Sequence, residues 1–422
     1  MRHSILKSLS FAAIALAAAG CGSEKSDAPG LIDIAGAIKS PAELKTSDLG
    51  RTITYLPLET TDSSLVASRF SLTFASGKVI VSNTAGSLNT EGSVLAFDLS
   101  DGSFCNSIGH AGQDPEAFAS VRCVSDAGEN AVLFKGNGGK YVKYGLDGRF
   151  MGIVTPEKSM EDMLPAFVDD TVYVYSVYEY FIKPKPMLSV VYAGKSGGML
   201  DSVVVVPETP GPELEFNGGI SVFINNSMMR NTQQQGGAIK LGSSPRVYMP
   251  GYPRLWRVAD GKTHAMATFS DTIYEVSAGA QPQPVAVISL GEKAFPGSAN
   301  GVRVMSDDEW TLSDLTETPT AMILGVKRGN DEASETGFIG YYDKRSGTTR
   351  MTAADNGFTD DLSGFMPFYP VAATTDGALV GILKQEDILK WVEEHPDAEV
   401  PSALQPVIDS EEEPNPVLVI VK

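Results

Sequence analysis

The sequence predicts an all-β fold: a six-bladed β-propeller closed by its own N- and C-terminal strands, with a short helical insertion in the last blade. Three observations lead there. Groups of four strand-like runs, bounded by Gly, Asp, Asn or Ser turns, recur every ~40–50 residues, the spacing of propeller blades. Two apolar β runs, Thr52–Leu58 and Val417–Val421, stand near opposite ends of the chain, where pairing would leave no open sheet edge. One segment, Gln385–Glu394, breaks the strand pattern with Ile388, Leu389 and Val392 on a helical face and Pro396 just past its end.

Taken in order, the chain starts with an export signal. Arg2 and Lys7 give a positive start, Phe11–Ala19 is an unbroken apolar run, and Gly20 is small. That run is shorter than the roughly 20 apolar residues of a membrane span, so it reads as a cleaved leader. Ala18-Ala19-Gly20-Cys21 resembles the bacterial lipobox, in which small residues precede a cysteine that is diacylated and becomes the new N-terminus. Ala18 stands where leucine is usual. The resemblance makes Cys21 the lipid-attachment residue, each buried acyl methylene contributing about 0.8 kcal/mol to anchoring. The alternative is a plain secretory signal whose next residue happens to be cysteine; the tether-like composition of Gly22–Gly30 favours the lipid. The expected organisation is a leader at 1–20, a lipidated tether at 21–45 and a propeller at 46–422 with a loop insertion at about 210–245.

Composition limits the partners. The formal net charge is −19, and removing Arg2 and Lys7 with the leader leaves about −21. Such a surface repels nucleic-acid phosphates and offers no basic stripe, so no nucleic acid is expected as a partner. Anionic headgroups would repel it too, leaving membrane association to the lipid. Cys105 and Cys123 could close a bridge in an oxidising compartment, but two small buried side chains in neighbouring strands is the favoured reading. The four histidines are scattered, without metal-ligand spacing.

The blades follow. The first runs through Val66–Phe74, Val79–Val81, Val94–Phe97 and Phe104–Ile108, with turns at Gly77 and Ser100-Asp101-Gly102. The second spans Phe118–Val154, and the third runs from Leu164 through Thr171–Val177 and Leu188–Tyr192 to Ser202–Val206. Pro212–Ser244, rich in Gly, Asn, Gln and Ser, reads as a long insertion or loop. The fourth blade takes Arg254–Val258, His264–Phe269, Thr272–Val276 and Val285–Leu290. The fifth takes Arg303–Trp310, Ala321–Val326, Phe338–Tyr342 and Thr348–Thr352, and the sixth begins at Phe368–Ala373 and Ala378–Ile382.

Arg51–Thr60 (RTITYLPLET), Ser107–Gln113 (SIGHAGQ), Asp271-Thr272-Ile273-Tyr274 and Asn415–Val419 (NPVLV) together resemble the six-bladed β-propeller lipoproteins of Bacteroidota, which are related in shape to NHL-type propellers. The resemblance covers the chain from about residue 40 to its end. It departs after the first blade, where Gly112-Gln113-Asp114-Pro115-Glu116 stands in place of a Gly-Pro-Gly-Glu-like turn. It implies the fold, export and a place in a glycan- and nutrient-handling cell envelope, lipid-anchored at the outer membrane. It supplies no activity, since fold does not decide function.

No nucleophile elbow, Cys–His neighbour, zinc motif or calcium loop is present, so no catalytic residue, metal site or cofactor is predicted. Acidic pairs such as Asp169-Asp170, Asp307-Asp308 and Asp360-Asp361 read as solvated turns. A binding reading has more support. Arg246, Tyr248, Tyr252, Arg254, Trp256 and Arg257 crowd aromatic and guanidinium groups into twelve residues of an acidic chain. Flat rings stack on sugars and arginine clamps carboxylates, which makes Arg246, Tyr252, Arg254 and Trp256 the candidate ligand-binding residues. The competing reading packs Tyr248 and Trp256 between blades and pairs the arginines with local acids. A second cluster, Tyr173, Tyr175, Tyr178, Tyr180 and Phe181, reads as inter-blade core. The function expected is therefore a non-catalytic envelope lipoprotein presenting a propeller face to a glycan, peptide or protein partner. The alternative is a propeller hydrolase or lyase with its site over the central channel.

Overall fold

The computed structural model describes residues 29–422 apart from 85–91, 162, 170, 178–187, 207–218, 226–227, 232–235, 243–246, 250, 252, 268–269, 296–305, 307 and 330–336. It is a six-bladed β-propeller. From the innermost strand outward, blade one is Phe70–Ala75, Lys78–Asn83, Val94–Asp98 and Phe104–Ser107. Blade two is Phe118–Asp126, Ala131–Gly136, Tyr141–Gly145 and Phe150–Val154; blade three is Phe167–Val168, Val172–Val177, Leu188–Gly194 and Met199–Val206. Blade four is Leu255–Arg257, Thr263–Ala265, Thr272–Glu275 and Gln283–Ser289. Blade five is Trp310–Glu317, Ala321–Arg328, Gly337–Asp343 and Thr348–Ala353, so its first strand begins where the sequence reading had it end.

Blade six joins the two ends of the chain. Ala372–Ala373 pairs with Leu379–Leu383, Leu379–Leu383 pairs with Val417–Val421, and Val417–Val421 pairs antiparallel with Ile53–Pro57 in the register Leu56↔Leu418. Val417, Leu418 and Val421 are buried, because blades on either side cover both faces of this sheet. Asn415 locks the join. Its carboxamide oxygen accepts from the Val66 N–H at 2.8 Å, and its Nδ2 donates to the Glu59 and Ser64 carbonyls at 2.7 Å each.

Five apolar clusters trace the ring. One joins blades one and two around Ile80, Phe118 and Phe134; a second joins two and three around Tyr141, Tyr173 and Tyr175. Others join three to four through Val190 and Leu255, and four to five through Ile273 and Leu324. The largest runs from blade five through six to one, including Ile323, Val380 and Phe97. Blade three therefore packs directly on blade four. The chain between them is an insertion, but it is not a loop. Ile220–Asn225, Gly236–Leu241 and Val247–Met249 form a three-stranded antiparallel sheet. Its Gly- and Gln-rich turns masked this in the sequence, since the strand signal rests on short apolar runs between them.

Residues 30–45, expected within the tether, are folded onto the ring. Gly30–Asp33 adds a fifth strand to blade four, parallel to Gln283–Ser289, and leads into a short helix at Ile34–Ile38. Ile32 and Ile34 are fully buried in the seam between blades four and five. The predicted helix Gln385–Glu394 lies between the second and third strands of blade six, with Ile388 buried beneath it.

Candidate functional site

Strand direction divides the propeller into two faces. The turns between first and second strands, and between third and fourth, share one face, here the turn face. The loops between second and third strands, the connections between blades, the insertion and the helix Gln385–Glu394 share the other, the elaborated face.

On the turn face the hairpins are tight and self-contained. Ser76 (φ 44°) and Gly77 (φ 75°) are both left-handed, the requirement of a type I′ turn joining the first two strands of blade one. Gly102 (φ 78°) has a further constraint, because a Cβ there would lie 2.1 Å from the Pro57 carbonyl oxygen. Aspartates finish these turns by accepting backbone amides two residues on: Asp98 from Ser100, Asp147 from Arg149, Asp343 from Arg345.

Two buried carboxylates also sit at this end of the seams. Glu317, the last residue of the first strand of blade five, has no exposed side-chain surface. Its Oε2 accepts from the Trp256 indole at 2.5 Å and from His264 Nδ1 at 2.8 Å, and its Oε1 lies 2.5 Å from Lys344 Nζ. Burial opposes ionisation, but the hydrogen bond and charge of His264 and the charge of Lys344 outweigh it and hold the carboxyl below its ordinary range. An ionised carboxylate only accepts, so the His264 Nδ1 that faces it carries a proton. His264 Nε2 is buried without a hydrogen-bond partner, 3.9 Å from Glu275 Oε2. A carboxylate-oriented imidazole is the arrangement of a general base, yet this one is buried, and its carboxylate is engaged by Trp256 and ion-paired to Lys344. Asp126, which ends the first strand of blade two, repeats the device: Lys195 of blade three lies 2.7 Å from its Oδ2.

The elaborated face is built over longer range. The turn at Met228–Asn231, within the insertion, reaches blades five and six. The Met228 N–H donates to Asp314 on the innermost strand of blade five at 3.1 Å. Asn231 Nδ2 donates to the Ile382 carbonyl at 3.1 Å and to Asp387, in the first turn of the helix, at 3.2 Å. Met229 is buried in the largest core cluster. Met228 lies where a Cβ on Gly337 would overlap it, so that glycine is what admits the tip. The exposed Arg230 sits over the Tyr369 ring, 5.1 Å from its centroid, beside Asp355 at 3.8 Å. At the C-terminal end of the helix Gln385–Glu394, the half-buried Trp391 stacks on the exposed His395 with centroids 3.7 Å apart. The insertion thus spans the face from the connection between blades three and four to blades five and six.

The predicted residues divide. Cys21, Arg246 and Tyr252 lie outside the described residues, as do Tyr178, Tyr180 and Phe181. Arg254 is half-buried where the chain leaves the insertion and enters blade four at the elaborated face. Trp256 is half-buried, bound to Glu317 and packed into the seam between blades four and five. Arg257 pairs with Asp169 of blade three at 3.0 Å, so neighbouring residues of one short strand tie blade four to both its neighbours. Tyr173 and Tyr175 are fully buried between blades two and three. Cys105 and Cys123 are free thiols, partly rather than fully buried, on the outermost strand of blade one and the innermost strand of blade two, which are consecutive in the chain but not paired; both pack against one core cluster. Asp360 is buried, accepting from Tyr55 Oη at 3.0 Å and from the Ser363 amide at 2.9 Å. Among the described residues, no three His, Cys, Asp or Glu side chains gather where they could hold a metal ion. The sequence reading did not single out Met228–Asn231, whose role depends on contacts about 85 to 155 residues away.

Six four-stranded blades, closed by a strand from each end of the chain, define the class of protein as a six-bladed β-propeller. The chain belongs to the family described as Domain of unknown function (DUF4934), whose model matches residues 29–422. Among solved structures it is similar to a suspected exported protein from Bacteroides fragilis NCTC 9343, at 17% identity and TM-score 0.60, covering 93% of this chain and 99% of that one. It also matches a member of the DUF4221 family from Bacteroides vulgatus, at 7% identity and TM-score 0.43, covering 88% and 96%. At these identities the first likeness speaks to the fold, and the second carries no argument. No curated protein shows significant sequence similarity to the chain.

Proposed function

We propose that this protein is a non-catalytic binding lipoprotein of the cell envelope, anchored through Cys21, which presents its elaborated face to a glycan, peptide or protein partner. The observation that carries this reading is the insertion tip, fastened at Met228–Asn231 to blades five and six. A long insertion fixed in place, rather than trimmed to a turn, makes a preformed surface, and preformed surfaces bind with less ordering cost. That face carries Arg230 over the Tyr369 ring, the stacked Trp391 and His395 and, where the insertion rejoins the ring, Arg254. Flat aromatic groups beside a guanidinium suit sugar rings and carboxylates. The similarity to a suspected exported Bacteroides protein and the leader at 1–20 support an envelope location.

The test is a glycan and peptide array probed with the Cys21→Ser chain, which stays soluble. A hit should weaken at least about tenfold in Arg230→Glu, the loss of one well-placed charged contact. Hits indifferent to Arg230 and Trp391, or steady turnover of oligosaccharides or lactones, would contradict the proposal. Turnover would favour a hydrolase or lyase with its site over the channel.

A further inference from the structure

We propose that the turn-face rim of blades two to four rests on the lipid bilayer, so that the elaborated face is held away from the membrane. This rests on the reading of Cys21 as the lipid-attachment residue. The first observation is directional. The outer strand of blade four, Gln283–Ser289, runs from the turn face toward the elaborated face, because Leu290 after it leads on to blade five. Gly30–Asp33 is parallel to it, in register from Gly30↔Ala286 to Asp33↔Ser289. The chain therefore joins the ring from the turn-face side. The contact of Ala35 with Gly291 agrees: the helix after this strand has already reached the opposite end.

The second observation is reach. Ile32 and Ile34 are fully buried, so the strand is an integral part of the ring and cannot pay out as slack. Only eight residues, 22 to 29, separate Cys21 from Gly30. The nine steps from Cys21 to Gly30 span at most about 30 Å even when fully extended. A lipid so close to blade four keeps that rim near the headgroups.

The third observation is the chemistry of the rim. Large apolar side chains are exposed on three consecutive outer edges: Met151 and Ile153 on blade two, Met199, Leu200 and Val204 on blade three, and Leu31 on the strand added to blade four. Met151, Met199, Leu200 and Leu31 lie at or near the turn-face starts of their strands. Scattered exposed hydrophobics need no explanation, but a row of them beside the chain's exit does. Met and Leu side chains at the headgroup boundary add apolar burial to that of the acyl chains. The occupant that fits is the bilayer to which the chain is tied.

The experiment uses the full lipidated chain in phosphatidylcholine vesicles, with Cys105→Ser and Cys123→Ser to remove the free thiols. Single fluorophores are placed through Arg149→Cys, in a turn of blade two on the turn face, or Lys140→Cys, on its elaborated face. Quenching by lipids carrying a headgroup nitroxide is then compared. The proposal expects at least about threefold stronger quenching at position 149 than at 140. It also expects that ratio to fall toward one in Met199→Ser/Leu200→Ser, with the amount of bound protein unchanged. Equal or reversed quenching in a chain that sediments with vesicles overturns the rim assignment alone. A chain that does not sediment, or sediments equally as Cys21→Ser, overturns the lipid reading and the rim assignment with it.

Discussion

The two faces of the propeller are held by different means. On the turn face, stability is largely local: an aspartate caps its own hairpin, and the long-range ties are side-chain pairs between adjacent blades, the buried carboxylates Asp126 and Glu317 and the Arg257–Asp169 pair among them. On the elaborated face, little is local. The insertion tip is fastened to Asp314, Ile382 and Asp387, residues that the sequence places far from it. The difference teaches where this fold has freedom. Turn-face geometry is set by hairpin closure and leaves little room for variation. The other face can carry the 48-residue addition at 207–254, because blades three and four pack directly on each other.

Four substitutions break or sharpen this contrast. The largest effect is expected from Glu317→Ala, which leaves Lys344, His264 and the Trp256 indole facing a buried vacancy. Stripping one partner from a buried ionic group costs about 3–5 kcal/mol. Urea titration should show the whole ring losing that stability; a loss below about 1 kcal/mol would mean the seam is held by apolar packing alone.

Met229→Ala comes next and acts differently. Truncating a buried methionine costs about 2 kcal/mol at the low end of such series, but here the cost should be confined to release of the tip. Amide exchange across Ile220–Met249 should accelerate while the global urea midpoint moves little. A matching global loss would make the insertion part of the cooperative ring rather than an addition to it.

The third test is pH. Burial opposes the charge of Asp360, but hydrogen bonds from the Ser363 hydroxyl and the Ser363 and Phe365 amides outweigh it and hold its carboxyl below the ordinary range. A carboxyl depressed in the folded state contributes stability that is fully present above the unfolded aspartate value near 3.9. That stability is lost as pH falls through the folded value. Asp360→Asn should therefore flatten the acid limb of stability below about pH 4; an unchanged acid limb would place the sensitivity elsewhere. The smallest effect is expected at a turn-face hairpin. Asp343→Ala removes the acceptor for the Arg345 amide and should cost about 0.5–1 kcal/mol, visible as a small midpoint shift with unchanged slope.

The same contrast explains what could be read from the sequence. Blade strands were legible because a sheet covered on both faces must be apolar almost continuously, as in Val79-Ile80-Val81, and because its turns demand Gly and Asp. The pairing of Ile53–Pro57 with Val417–Val421 followed from the cost of leaving an apolar edge open. Gly30–Asp33 was not legible: four residues are too few for periodicity, and their partner lies 256 residues away. The insertion's strands were hidden by their polar turns. At the candidate site, the aromatic and arginine run at 246–257 was visible as composition. Composition could not say that Trp256 would turn toward Glu317, since that depends on how blade five meets blade four.

The fixed position of the insertion tip is the feature on which the functional reading depends most. Site-resolved amide hydrogen exchange on the Cys21→Ser chain tests it directly. The account predicts that the Met228 amide, which donates to Asp314, exchanges orders of magnitude more slowly than an unstructured peptide and loses that protection in Met229→Ala. Exchange of Met228 at the free-peptide rate in the unmodified chain would contradict it.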